Sequence, residues 1–329
     1  DVYYNRVQSG TNTRSLRDFH NLYVKQKLIL GVSNANDTLI DYAVGKGGDF
    51  SKWISAKLKF VFGIDVSRDN IENNKDGACA RYLNNRKKHK YMPGALFVTG
   101  NSGLPIRSGK AFSTEKDKQI ANAIFGQGAK DRNELGEGVY KYYGIGEEGF
   151  KISSCQFAMH YFFENQTSMH TFFQNVAECT KVNGYFIGTC YDGQSVFELL
   201  KKKNKNESFV IYKDDAKMAE IIKQYDHSSF PENEMSLGYA IDVYQESINK
   251  VFREYLVNFH YLVRVMENYG FVLATPEEAK SFDLPNGSGL FSELYASMND
   301  ELSRNSRRKT AYGTATDLSS EEKQISFLN

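Results

Sequence analysis

The chain lacks any apolar run long enough to span a bilayer as a helix, which sets aside a helical membrane anchor, and no signal peptide opens it. It has no C-x-x-C pair. Its four cysteines (Cys79, Cys155, Cys179 and Cys190) are scattered, and three sit in or beside apolar runs. That pattern reads as reduced, mostly buried thiols in a cytosol-like compartment. The six histidines are dispersed as well, which argues against a zinc site. Net charge is nearly absent: 41 Lys and Arg stand against 40 Asp and Glu. No global field draws in a polyanion, so any nucleic-acid contact has to come from local patches. Tryptophan is reduced to one residue, Trp53.

What is present suits a folded enzyme-sized chain. With 329 residues and 41% hydrophobic content, it can bury one large core or two small ones. The 21 Tyr and 23 Phe read first as core and strand fillers. The chain begins at Asp1 rather than Met, which fits a segment of a larger polypeptide. Residues 14–31 form an amphipathic helix pattern, with Leu16, Phe19, Tyr23, Lys27 and Leu30 on one side and Gly31 as its stop. Short apolar runs then recur at 38–44, 60–66, 95–100, 150–157, 184–190 and 270–275, separated by helical or polar stretches. Such runs predict an α/β domain with a mostly parallel sheet, whose ligands bind at the carboxyl ends of the strands. Residues 101–149 read as a long polar, glycine-bearing loop, and residues 191–260 as an insertion of mixed helix and strand. No internal repeat is present. The basic clusters at 86–90, 201–205 and 304–309 read as solvated faces before they read as phosphate sites.

The first predicted strand ends in Asp41-Tyr42-Ala43-Val44-Gly45-Lys46-Gly47-Gly48-Asp49. Glycines at a strand-to-helix turn let backbone approach a ligand closely. The run is neither a Walker loop nor G-x-G-x-x-G. Asp65 ends the second strand about twenty residues on, where an acid accepts hydrogen bonds from ribose hydroxyls. These residues alone indicate an adenine-nucleoside cofactor, either nicotinamide or S-adenosylmethionine.

Further residues decide between the two by resemblance. Gly45-Lys46-Gly47-Gly48-Asp49, with Lys52-Trp53 after it, resembles the cofactor loop of mRNA cap guanine-N7 methyltransferases. Gln156-Phe157-Ala158-Met159-His160-Tyr161 resembles that family's Q-F-x-x-H-Y motif. Asn21 with Lys25 is similar to its N-x-x-x-K helix, Gly188-Thr189 with Asp192 to its G-T-x-x-D segment, and Glu254-Tyr255-Leu256-Val257-Asn258-Phe259 to its E-Y-L-V-x-F segment. The matches run in order from about residue 14 to 275. The wording Tyr191-Asp192-Gly193, the long polar loop and Asp242–Ser247 resemble capping enzymes of large DNA viruses more than cellular ones. Ala43, Asn101 and Tyr191 depart from the family's usual Gly, Asp and Pro. Alanine at 43 is tolerable if its φ is negative.

The resemblance implies a class I S-adenosylmethionine-dependent methyltransferase, Rossmann-like, with a mostly parallel seven-stranded sheet whose last strand falls about where the chain stops. It implies a single cap N7 methyltransferase domain over 1–329, with a core at 14–190 and 261–329 and a cap-side insertion at 191–260. Lys25 would bind the cofactor's carboxylate, and Gly45, Gly47 and Gly48 would shape its methionine pocket. Asp65 would hold its ribose, Asn101 would lie near its adenine, and Gln156 and Tyr161 would line the methyl-donor side. His160, Tyr161 and Glu254 would hold the guanine, with Asn21 on the cap side, while Lys46 and Arg81 would face the cap phosphates. Each has a plainer reading: His160 as a satisfied core histidine, Glu254 as an acid at a helix start, Lys46 as a helix cap or a solvated charge.

The implied reaction uses S-adenosylmethionine on the 5′-capped end of RNA, by in-line transfer without metal, nucleophilic residue or covalent intermediate. Other capping domains of a larger polypeptide are implied partners, and a membrane is not. The compartment would be the cytoplasm, a viral factory or virion for a viral protein, and the nucleus for a cellular one. Two other readings remain: a methyltransferase of the same fold acting on another substrate, and an inactive domain that binds RNA or a partner. A guanylyltransferase is set aside because Lys75-Asp76-Gly77 lacks the intervening residue of K-x-D-G.

Overall fold

The computed structural model describes residues 11–329, which divide into two compact units. The first unit holds residues 32–158 and 167–188. Its centre is a five-stranded sheet formed by β1 (Thr38–Asp41), β2 (Phe60–Asp65), β3 (Gly94–Thr99), β4 (Phe150–Gln156) and β5 (Thr180–Thr189), in the order β3-β2-β1-β4-β5. β1 runs parallel to both β2 and β4, and β2 runs parallel to β3. Every residue of β1 and β2 is buried, as expected of strands covered on both faces, and their near-continuous Leu, Ile, Val and Phe content has the same cause. The strand order reverses between β1 and β4, so the carboxyl ends of those two strands are where an open α/β sheet receives ligands.

The expected α/β class with a mostly parallel sheet therefore forms, but with five strands rather than seven among the described residues. The run at 270–275 is not a strand. It opens on Gly270 at φ 88°, makes no strand pairing and leads straight into the capping box of helix Pro276–Ser281. Val272 is 83% exposed there. Val and Leu favour a strand only where a neighbour completes the ladder. The stretch 101–149 is not a structureless loop either, because it carries helices Glu115–Ile124, Arg132–Leu135 and Glu137–Tyr140. Thr114 and Asp131 cap the first two through their side chains, as short oxygen-bearing residues do at helix starts.

The second unit holds residues 11–31, 159–166 and 189–329 of the described chain. Its sheet is antiparallel, β6 (Ser208–Lys213), β7 (Ala216–Lys223), β8 (Ala240–Gln245) and β9 (Lys250–Tyr255), joined in sequence order. Helix Gly193–Leu200 contributes Val196, Phe197 and Leu200 to a core with Ile221, Tyr239, Ile241 and Val243 of this unit. Residues 261–329, expected to complete the parallel core, contain helices and turns and cluster with this unit instead.

The N-terminal helix forms as expected, with Leu16, Phe19 and Tyr23 buried, but it runs past Gly31 to Val32. Gly31 is a close-packing residue, since a Cβ there would lie 2.6 Å from the Phe282 carbonyl oxygen. Residues Phe19–Lys25 of this helix are π-helical, a widening found frequently at functional sites. Among the described residues no helix is long and apolar enough to cross a membrane.

Candidate functional site

Of the expected cofactor residues, Gly45, Gly47, Gly48, Asp65, Asn101 and Gln156 lie in the first unit near the carboxyl ends of its strands, while Lys25 and Tyr161 belong to the second. Asp41 at the end of β1 accepts from the Ala43 amide (3.0 Å), and Val44 N donates to Ile64 O (2.9 Å). Ala43 has no positive φ, whereas Gly45 and Gly47 do, at 58° and 77°, so alanine fits where it stands and glycine is needed at the next two turns. A Cβ on Gly47 would also lie 2.2 Å from the Phe50 ring, but one on Gly48 would meet nothing within 4 Å. Residue 48 thus borders open space that a ligand can use.

Asp65 closes β2 and is 7% exposed. Its Oδ2 accepts from Gly45 N (2.8 Å), and its Oδ1 accepts from Ser67 N (2.9 Å) and Asn70 Nδ2 (3.0 Å). Burial pushes its pKa up, while the three donors pull the other way. A carboxylate offers about four acceptor sites, so one remains for a ligand hydroxyl. Asn70 is a residue the sequence reading missed. Its signal was the Ser67-x-x-Asn70 helix start, with Ser67 Oγ capping Asn70 N.

Asn101 is exposed, and its side-chain oxygen accepts from Gly103 N (2.9 Å), leaving its second lone pair. Gln156 ends β4, is 8% exposed and donates to Ser154 Oγ (3.1 Å). The next residue, Phe157, has φ 54°. A bulky side chain in the left-handed region costs about 1–2 kcal/mol, and such strain collects at functional sites. Asn175 was also missed. It is 1% exposed, accepts from Ile106 N (3.0 Å) and donates to Ser102 O (2.9 Å) and Leu104 O (2.8 Å), so it ties down the segment after β3.

Lys46 was expected to face phosphates. Instead its side chain is 9% exposed, and Nζ lies 2.7 Å from Asp76 Oδ1 and 3.3 Å from Asp69 Oδ2. Two nearby carboxylates hold the ammonium more strongly than solvent exposure would, which turns it inward. Arg81 donates from Nη1 to Lys46 O (2.9 Å).

In the second unit His160 and Glu254 come together. Glu254 lies on β9 opposite Ile241, on a strand rather than at a helix start, and His160 lies in the 3-10 stretch Met159–Glu164. His160 Nε2 is 3.5 Å from Glu254 Oε1, with side-chain exposures of 8% and 12%. Neither ring nitrogen of His160 has a hydrogen-bond partner among the described residues, and nor does Glu254 Oε2. Burial lowers the His160 pKa to about 3 and raises that of Glu254 to about 8. At neutral pH the imidazole is uncharged and the carboxyl mostly protonated, so the pair is a contact between neutral groups rather than an ion pair. Buried polar groups normally find partners, which makes this pair a candidate ligand contact. The Tyr161 ring stands 4.2 Å from that of His160 at 60°. Asn21 and Lys25 lie on the π-helical stretch of this unit, where Asn21 Nδ2 donates to Arg17 O (3.0 Å).

Comparison with known proteins follows the same lines. The model of the mRNA (guanine-N(7))-methyltransferase domain matches residues 3–324. A probable mRNA-capping enzyme of Acanthamoeba polyphaga mimivirus is 28% identical over 260 residues, covering 78% of this chain and 20% of the relative. The mRNA cap guanine-N(7) methyltransferase 1 of Arabidopsis thaliana is 27% identical over 182 residues, 55% of this chain and 40% of the relative. An mRNA-capping enzyme of African swine fever virus is 23% identical over 277 residues, 83% of this chain and 28% of the relative. The chain spans two fifths or less of the length of these curated relatives.

Proposed function

Because the chain belongs to the mRNA (guanine-N7)-methyltransferase family, we propose that it transfers a methyl group from S-adenosylmethionine to N7 of the guanine that caps messenger RNA. The observation that carries this reading is the buried, unpartnered pair His160 and Glu254. Guanine presents an N1–H and a 2-amino group side by side, and a carboxylate accepts both. His160 offers one donor and one acceptor in its neutral form, and Tyr161 beside it adds an aromatic face. Charge-assisted bonds of this kind are about twice as strong as neutral ones.

S-adenosylmethionine supplies a methyl group already activated on a sulfonium. The residues suited to hold it are Asp65 through its remaining acceptor site, Gly45 to Gly48 through close backbone approach, Asn101 through its side-chain amide, and Gln156. Guanine N7 carries a free lone pair, so no general base is needed. The protein's contribution is orientation, together with a carboxylate that favours the cation forming on the base. The viral relatives are named capping enzymes and are several times longer than the matched stretch, which supports other capping domains acting alongside this one.

The test is methyl transfer from labelled S-adenosylmethionine to GpppA-capped RNA, followed by digestion to nucleosides. The expected product is 7-methylguanosine. Label elsewhere on the RNA, or transfer to small acceptors but not to GpppG, would end the N7 reading. Failure to bind S-adenosylhomocysteine would make the chain a binding domain.

A further inference from the structure

An ion-pair cluster braces the glycine loop after β1, and the roles assigned above make no use of it. Lys46 sits between Gly45 and Gly47, both at positive φ, and glycines in that state leave a loop free to wander. Residue 46 is gripped twice. Its ammonium meets Asp76 Oδ1 (2.7 Å) and Asp69 Oδ2 (3.3 Å), and its carbonyl oxygen accepts from Arg81 Nη1 (2.9 Å).

The acids are themselves fixed. Asn73 Nδ2 donates to Asp69 Oδ1 (2.9 Å), and Asn73 Oδ1 accepts from the amides of Asp76 (3.3 Å) and Lys75 (2.9 Å). Gly77 completes the turn, since a Cβ there would lie 2.6 Å from Asn73 N. An exposed pair of this kind would contribute little, but here the cation is buried, and removing Asp76 leaves it with the longer contact to Asp69 alone. Both carboxylates meet the Lys46 ammonium, which suits a brace on the loop.

We propose that Asp76 is a positioning residue, which acts through Lys46 to hold the Gly45–Gly48 backbone in the shape that receives the methyl donor. This rests on the reading that the loop binds S-adenosylmethionine.

The experiment measures S-adenosylhomocysteine binding by calorimetry, with KM and kcat on capped RNA, for Asp76→Ala, Asp76→Glu, Lys46→Met and the double variant. Loss of preorganisation in Asp76→Ala should weaken binding about tenfold and raise the KM for S-adenosylmethionine in step, with kcat little changed. Asp76→Glu should recover most of the loss, and the double variant should bind no worse than Lys46→Met alone, because coupled residues are not additive. If Asp76→Ala fails to fold, Asp76→Asn keeps the turn and removes only the charge. Wild-type affinity in a folded Asp76 variant overturns the proposal. So do additive losses in the double variant, or a Lys46→Met defect confined to capped-RNA affinity. No binding by the wild type would instead overturn the methyl-donor reading, and the brace would fall with it.

Discussion

Replacing Glu254 with Gln tests the proposed guanine pocket through its protons. Glu254 is 9% exposed, its Oε2 has no partner among the described residues, and burial raises its pKa from 4.5 to about 8. His160 beside it is uncharged above pH 3 or so and offers no compensating cation. At pH 7 about one carboxyl in eleven is therefore ionised, yet accepting guanine N1–H and the 2-amino group requires the ionised form. Binding on this reading expels a proton, at a cost of about 1 kcal/mol at pH 7 that vanishes well above pH 8.

The expected affinity for GpppG rises roughly tenfold from pH 6 to 7 and about fivefold from pH 7 to 8, then levels. Titration calorimetry at pH 7 in two buffers of different ionisation enthalpy should report release of about 0.9 proton for the wild type and none for Glu254→Gln. The variant should also bind weakly and without this pH dependence, since an amide presents a donor toward donors, while its affinity for S-adenosylhomocysteine stays near wild type. Tight, pH-independent binding of GpppG without proton release would refute the reasoning, because the carboxylate would not be receiving N1–H. Lost S-adenosylhomocysteine binding would make Glu254 a structural residue.

The same residue should shape stability. Its folded-state pKa is raised, so its contribution is full below pH 4.5 and is lost as pH climbs to 8, whereas His160 and His20, both lowered to about 3, contribute above pH 6.5 and lose that contribution on acidification. Between pH 6 and pH 8, urea unfolding should show the wild type losing about 2 kcal/mol relative to Glu254→Gln, a difference in which the histidine contributions common to both cancel; parallel pH profiles for the two proteins would contradict this. Gly48→Ala adds a Cβ into open space and should leave the melting temperature alone while weakening S-adenosylhomocysteine, whereas Gly47→Ala collides with Phe50 and should lower both; unchanged ligand affinity in Gly48→Ala would remove residue 48 from the pocket. Asn175→Ala orphans Ile106 N, Ser102 O and Leu104 O and should cost about 3 kcal/mol of stability by denaturant titration; a loss under 1 kcal/mol, on the scale of an ordinary surface change, would mean water replaces it.

Much of the first unit was legible because its signals are local. β2 to β4 match their apolar runs to within a residue, β1 starts with its run and ends three residues before it does, and Asp65 ends β2 as its spacing implied. Elements that depend on distant partners were not legible. Residues 270–275 have strand composition, but pairing is decided by a neighbour that the sequence does not reveal. Lys46 looks like any loop lysine until Asp76, thirty residues on, is folded against it. Gly31 resembles a helix stop, and only the approach of the Phe282 backbone gives it another role. The left-handed Phe157 leaves no mark in the sequence at all, because strain of that kind is imposed by the surroundings.

The two carboxylates assigned to ligands are built on opposite plans. Asp65 is already satisfied by three donors from its own unit, so it is ordered before any ligand arrives, and it holds the loop through the Gly45 amide. Its loss should be felt in the empty protein. Among the described residues Glu254 Oε2 has no such donor, and burial keeps the acid mostly protonated. On the proposed reading its donors come from the base. An adenine cap has neither an N1 donor nor a 2-amino group, so it would leave the acid protonated or force an unpaired anion into a buried site. Sites that hydrogen-bond a particular group reject analogues lacking it far more strongly than apolar pockets reject a missing methylene. Competition between GpppG and ApppA for the wild type should therefore favour the guanine cap by a large factor, and Glu254→Gln should erase most of that preference by weakening only the guanine cap. If the variant still prefers guanine as strongly as the wild type, the discrimination lies in residues other than this pair.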